Sequence, residues 1–209
     1  MSNKKGFTLA EVLLTLTIVG VIGALTIPPL IQNVQDIQLK TAWRKSYGDI
    51  AEATMIMKSD YGGTLKNVFA GSTGMATKYG NYLSNTKYCA SGVAGCWHPD
   101  FWYALGGASR PGGSFVGLIL TDGRLALFGW TTSDCSGSQG DSENSCGTVT
   151  IDVNGFKKPN TIGKDIFRIH ITENPGHIVA FPETWNGCIP SSNGIDSGWG
   201  CSSEYLYNP

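Results

Sequence analysis

The chain opens on a short polar, basic stretch from Met1 to Gly6 and then turns apolar. Residues 7–31 read FTLAEVLLTLTIVGVIGALTIPPLI, with Glu11 as the one charged side chain. From Phe7 to Ile27 this run measures roughly 31 Å as a helix, which matches the hydrocarbon core of a bilayer. The pattern predicts a transmembrane helix. A cleaved secretory signal is the rival reading, but its apolar core is about 7–15 residues long and ends at a small-x-small site. Here the run is longer, and Ile22-Gly23-Ala24 lacks the small residue three back from a cut. The doubled Pro28-Pro29 predicts a kink or a melted turn just beyond the span.

Residues 32–60 continue as a different kind of helix. Leu39, Trp43, Tyr47, Ile50, Thr54 and Met57 recur every three or four positions as one apolar stripe, and charged or polar residues such as Lys40, Arg44, Lys45, Asp49 and Glu52 fill much of the rest. Gly62-Gly63 ends it. Residues 64–113 read as a long Gly/Ser/Thr/Tyr-rich connection holding an aromatic cluster, Trp97, Phe101, Trp102 and Tyr103. Such a cluster either packs under the loop or lines a glycan or partner site.

Alternation then takes over. Residues 114–130 predict a hairpin around Asp122-Gly123 with a two-residue type I′ turn. Residues 148–153 and 166–172 read as two more strands, the second with Arg168 and His170 on one face. A short fifth element runs from His177 to Phe181, and an irregular tail follows Pro182. The expected architecture is α+β, an antiparallel sheet laid on the amphipathic half of one long helix.

Composition adds the compartment. The 209 residues carry 15 Lys+Arg against 16 Asp+Glu, a net charge of −1, which gives no electrostatic grip on nucleic acid. Charged residues are 15% of the chain, below the roughly 25% of soluble domains, and 28 glycines are about twice the usual share. The six cysteines, Cys89, Cys96, Cys135, Cys146, Cys188 and Cys201, fall as three local pairs with no CxxC among them, so zinc spacing is missing. Pairing as 89–96, 135–146 and 188–201 is the most economical of the fifteen connectivities and implies an oxidising compartment. Lys4 and Lys5 favour a cytoplasmic N-terminus. Lys40, Arg44 and Lys45 weaken that vote, and the cysteines break the tie by placing residues 32–209 outside.

Glu11 is the anomaly, because an ionisable side chain within an apolar span costs a few kcal/mol and asks for a partner. A cut after Gly6 would create one, the new α-amino group of Phe7. That ammonium sits badly at the positive end of its own helix dipole. A carboxylate from a neighbouring subunit would neutralise it and set the stagger between packed helices.

The segment Lys4-Lys5-Gly6-Phe7-Thr8-Leu9-Ala10-Glu11 resembles the leader of type IV pilins and type II secretion pseudopilins, and Gly20 and Pro28 also stand where that family has a glycine and a proline. The resemblance implies cleavage after Gly6 by a prepilin peptidase, N-methylation of Phe7, and pairing of Glu11 with a neighbour's N-terminus during filament assembly with other pilin or pseudopilin subunits. It also implies a leader at 1–6, a transmembrane and assembly half-helix at 7–31, and an extracytoplasmic head at 32–209, anchored as a single pass in the inner membrane. Two other functions remain compatible with the residues. One is a minor pilin that binds a surface, glycan or DNA; the other is a membrane-anchored periplasmic protein that never polymerises.

The stretch from Asp152 to Asp165 resembles a loop between sheet strands in several pseudopilin-like proteins. Asp152, Asn154, Asn160 and Asp165 offer hard oxygen ligands, so a calcium site is one reading. The spacing departs from an EF-hand, because glycine falls at the fourth position and the closing Glu is missing. Asx-turns, in which these side chains bond their own backbone, are the other reading. With three histidines, His98, His170 and His177, and no GxSxG, HExxH or P-loop in context, the expectation is a structural protein rather than an enzyme.

Overall fold

A computed structural model describes residues 6, 8–139, 142–173, 178–180, 187–190 and 194–207. Lys4, Lys5, Phe7, His177 and Phe181 lie outside the described residues. The chain divides into two compact units, residues 1–38 and 39–209.

In the first unit the architecture is a single helix. Helix α1 (Leu9–Asp60) begins here, and it runs through Pro28 and Pro29 without interruption. The expected melted turn is therefore absent, as each proline removes one donor and leaves the neighbouring turns bonded. Over residues 9–38 the described apolar side chains are exposed: Leu9, Leu16, Val19, Leu25 and Leu30 are all more than 60% exposed. The helix is long and apolar enough to cross a membrane.

The second unit is α+β and pilin-like. Beside the rest of α1 it contains α2 (Gly71–Tyr82), α3 (Cys201–Tyr207) and an antiparallel sheet in the order β1 (Asn85–Cys89), β4 (Gly117–Leu120), β5 (Leu125–Trp130), β7 (Ser142–Asp152), β8 (Ile166–Thr172) and β9 (Ile178–Ala180), with β6 (Gly137–Gln139) also pairing with β7. A separate ribbon joins β2 (Trp102–Tyr103) to β3 (Ser109–Arg110).

The predicted stripe becomes the core. Trp43, Ile50, Ala53, Thr54 and Met57 of α1 are buried, and Val149, Ile151, Phe167, Ile169 and Ile171 meet them from one face of the sheet. Trp43 stacks on Phe167 with centroids 4.7 Å apart, and its indole donates to the Ser202 carbonyl at 3.0 Å. The opposite face packs under a second cluster that includes Trp97, Trp102, Leu125, Ile166 and Trp199. The aromatic cluster of the long connection thus divides: Trp97 and Trp102 are core, whereas Phe101 and Tyr103 remain exposed.

Several elements depart from the sequence expectation. The connection over 64–113 holds α2, β1 and the β2–β3 ribbon. The glycines of α2 gave no helical signal, yet Met75, Ala76 and Tyr79 are buried against the sheet. Strand β7 starts at Ser142, six residues before the predicted start, because β6 supplies a partner for its early half. The hairpin at Asp122-Gly123 is not type I′, which needs both central residues in the left-handed region; only Gly123 is there, at φ 89°. The connection is instead three residues long, closed by the Leu120 N–H on the Arg124 carbonyl at 2.9 Å. The expected irregular tail ends in α3, seated by the Trp43 and Arg44 bonds to the Ser202 and Tyr205 carbonyls.

Candidate functional site

Thr8 and Glu11 open α1 with a reciprocal pair of contacts. The Glu11 carboxylate accepts from the Thr8 N–H at 2.8 Å and from its hydroxyl at 2.9 Å, while the Glu11 N–H donates back to Thr8 Oγ1 at 3.3 Å. This is a capping box, which satisfies helix N–H groups that have no intrahelical partner. Its signature, Thr-x-x-Glu before an apolar run, is present in the sequence but did not enter the reading of Glu11 there. Gly6, the residue before the expected cut, is exposed with nothing within 4 Å of where a side chain would start. The expected partner of Glu11, the Phe7 amine, belongs to a residue outside the described ones.

The disulfides join Cys89 to Cys96, Cys135 to Cys146 and Cys188 to Cys201. Each closes a short local loop, and such links contribute about 2–3 kcal/mol apiece by restricting the unfolded chain. Cys188–Cys201 ties the chain to the start of α3. Cys135–Cys146 bridges the edge where β6 meets β7. There Glu173 closes the other side, accepting from the Thr64 hydroxyl and the Leu65 N–H at 2.8 Å each, with Lys58 Nζ 3.7 Å away.

Asp152, Asn154, Asn160 and Asp165 do come together, at the end of β7 and the start of β8. Asp165 is fully buried, and its carboxylate accepts from the N–H groups of Thr161 at 2.6 Å and Asn160 at 2.8 Å, and from Asn154 Nδ2 at 3.1 Å. Asp152 Oδ1 accepts from the Asn154 N–H at 3.1 Å, and Oδ2 lies 2.8 Å from His98 Nε2. Both carboxylate oxygens of each Asp thus have hydrogen-bond partners, as Asx-type turns require. The two asparagine Oδ1 atoms are buried without one, and these are the donors a hard cation would find open. Gly155, at φ 73°, lets the loop turn where a Cβ would collide with the Gly123 carbonyl.

Burial, opposed by the His98 contact and assisted by the Asp165 charge, pushes the Asp152 carboxyl up to about 7. Burial also raises Asp165. The pair His98–Asp152 is sealed, with His98 3% exposed and Asp152 not at all. His170 lies on the same face of the sheet as Arg168; burial, and then that neighbouring cation, push it down to about 4.

A family model for the prokaryotic N-terminal methylation motif matches residues 1–27. The chain therefore carries a prepilin leader of the type IV pilin and pseudopilin kind, and the apolar helix and leader together mark a membrane-anchored, prepilin-like protein. No curated protein and no solved structure matches the chain.

Proposed function

We propose that this chain is a structural subunit of a type IV pilus or a type II secretion pseudopilus. A prepilin peptidase cuts after Gly6, Phe7 is N-methylated, and the apolar half of α1 holds the subunit in the inner membrane with its N-terminus in the cytoplasm and residues 32–209 outside. During assembly the apolar helices leave the lipid and pack together at the filament centre, and Glu11 pairs with the terminal amine of a neighbour. The assignment as an enzyme is set aside, since this leader belongs to a family of structural proteins.

One observation carries the reading. The methylation motif leads into a helix whose first half, over residues 9–31, exposes its apolar residues on all sides and carries the single charge of Glu11. A surface of that kind is stable only in lipid or against copies of itself.

Intact mass and charge reversal test it together. The protein taken from its native membrane is expected to start at Phe7 with one added methyl. Glu11→Lys is expected to be cleaved as usual and to stay out of filaments. A variant that is cleaved and still incorporated removes the assembly role of Glu11, and an uncut chain turns the leader into a plain anchor.

A further inference from the structure

The loop from Asp152 to Asp165 is firmly built, yet it carries cations that nothing neutralises. The Asn154 side-chain amide donates to the Lys158 carbonyl at 3.1 Å, and Asp165 accepts from the Asn160 and Thr161 N–H groups at 2.8 and 2.6 Å. Its tip presents Phe156, 51% exposed, followed by Lys157 and Lys158, both exposed. Among the described residues no carboxylate forms an ion pair with Lys157, Lys158 or Lys164 of this loop, whereas Lys45, Lys58, Arg110 and Arg124 each face one. The loop is also pinned against the β4–β5 turn, with Gly155 close to the Gly123 carbonyl, and from that position its lysines reach no acid of their own chain among the described residues.

The complementary surface is a groove of about 400 Å³ between α1 and the β4–β5 turn. Asp49, Glu52 and Asp122 line it, against Lys45 and Arg124. Both cations are taken, Arg124 by Asp49 and Asp122 and Lys45 by Asp122. Glu52 is exposed and has no cationic partner among the described residues. Ala53, Ile56 and Leu120 add apolar wall, with Ile56 46% exposed. One carboxylate in excess beside apolar surface suits a lysine, whose methylene stem covers the wall while its ammonium meets the acid.

We propose that the tip at residues 156–158 of one copy docks in this groove on a second copy of the chain, with Lys157 or Lys158 pairing with Glu52. The proposal rests on the filament reading above and names a contact between heads within it. Charge and polarity match on both sides: the free ammonium groups meet the unpaired carboxylate, and the Phe156 ring meets the apolar wall. Tip and groove are different surfaces of one chain, so the contact is heterologous, the kind that repeats from copy to copy and builds an open filament when the rotation does not close. The hydrogen bonds that order the loop beforehand lower the entropy lost on docking.

Carbodiimide cross-linking in native membranes reads the contact, because it joins an amine to a carboxylate only where the two touch. The parent protein is expected to give a covalent dimer in which peptide mass finds Glu52 linked to Lys157 or Lys158. Glu52→Lys alone, or Lys157→Glu with Lys158→Glu alone, is expected to lower filament yield by about fivefold, the size of one exposed ion pair. All three positions are exposed, so the variants keep the fold. Co-expression of the two variant chains is expected to restore filaments and to give a link between the substituted positions, which can form only between copies. Cleaved, filament-forming parent protein without the Glu52 link overturns the contact and leaves the filament reading standing. The link in a protein that forms no filaments keeps the contact and overturns that reading. Yield that falls with the lysine changes but not with Glu52→Lys points to an anionic lipid surface or another acid and overturns the proposal, as does co-expression that restores nothing.

Discussion

Arg124 offers the sharpest quantitative test of how the hairpin is fixed to α1. It is 7% exposed, and its Nε reaches both Asp122 oxygens at 2.9 and 2.8 Å. One terminal nitrogen donates to Ser46 Oγ at 2.7 Å, and the other is shared between Asp49 and Asp122. Arg124→Met keeps the stem and removes the charge. Breaking a fully buried ion pair costs about 3–5 kcal/mol, because the abandoned partner stays dry. Here Asp49 and Asp122 keep 35% and 36% of their side chains exposed and rehydrate. Ser46 retains its bond to the Ala42 carbonyl at 2.8 Å. The expected loss is therefore about 2 kcal/mol, nearer the value of one or two charge-assisted hydrogen bonds.

The same contact sets an acid limb. Burial pushes the Asp122 carboxyl up, but hydrogen bonds from Arg124 and Lys45 outweigh it and bring it to about 2. A carboxyl whose folded value lies below its unfolded one stabilises the fold above the unfolded value, and that stabilisation fades as pH falls toward the folded value. The window is therefore from about pH 4 down to about pH 2, and solvent screening leaves about 1 kcal/mol there. Urea unfolding of the full-length protein in detergent, at about pH 6 and about pH 3, reads both quantities. Arg124→Met should lose about 2 kcal/mol at the higher pH and most of the acid-dependent loss below it. A deficit under about 0.5 kcal/mol, or an acid limb unchanged from the parent, refutes the reasoning.

Trp43→Ala should destabilise by about 3–5 kcal/mol, since it empties a fully buried site, removes the Phe167 stack and leaves the Ser202 carbonyl without its indole donor; a loss below about 2 kcal/mol in urea unfolding would mean that the site collapses freely. Asp152, raised to about 7 by burial, contributes stability at low pH that disappears as pH rises through neutrality. The melting midpoint should accordingly fall as pH rises from about 4 to about 7, and Asp152→Asn should flatten that slope; a parent protein with no slope there contradicts the sign. For the loop from Asp152 to Asp165, melts with calcium and with chelator are expected to coincide, because the carboxylate oxygens already have hydrogen-bond partners. A calcium-dependent rise in midpoint would place the ion among these residues.

What the sequence discloses follows from how local each signal is. The stripe from Leu39 to Met57 and the alternation over 166–172 are legible because one element's own periodicity states which face is buried. The cysteine pairs are legible because each closes over a few residues. Helix α2 was hidden for the opposite reason: Gly71, Gly74 and Gly80 lower its intrinsic propensity, and burial of Met75, Ala76 and Tyr79 against a distant sheet decides its state. Asp122-Gly123 marks a turn correctly but not its type, because Asp122 is held by Arg124 and Lys45 outside the left-handed region. A cavity on the sheet face away from α1, lined by residues that include Trp102, Arg110, Thr150 and Arg168, was not legible at all. Its two arginines are 58 positions apart in sequence, and only the fold brings the β2–β3 ribbon and β8 to line one cavity.

Glu11 shows the local and non-local kinds of information meeting in one residue. Placed alone within an apolar span, a carboxylate is costly, which argues for a partner outside the helix. The capping box supplies one inside it: Thr8 donates twice to the carboxylate and accepts once from the Glu11 N–H. A helix start normally leaves such N–H groups unsatisfied, so the box lowers the cost of the acid and of the helix terminus together. A subunit held in the membrane as proposed above would then keep its charge satisfied. In the assembly proposed above, a neighbour's ammonium does not rescue a bare carboxylate; it competes with Thr8 for one already bonded. On that proposal, assembly at this position would be an exchange of partners, and its free-energy gain would be the difference between two sets of charge-assisted bonds rather than the full solvation cost of the acid.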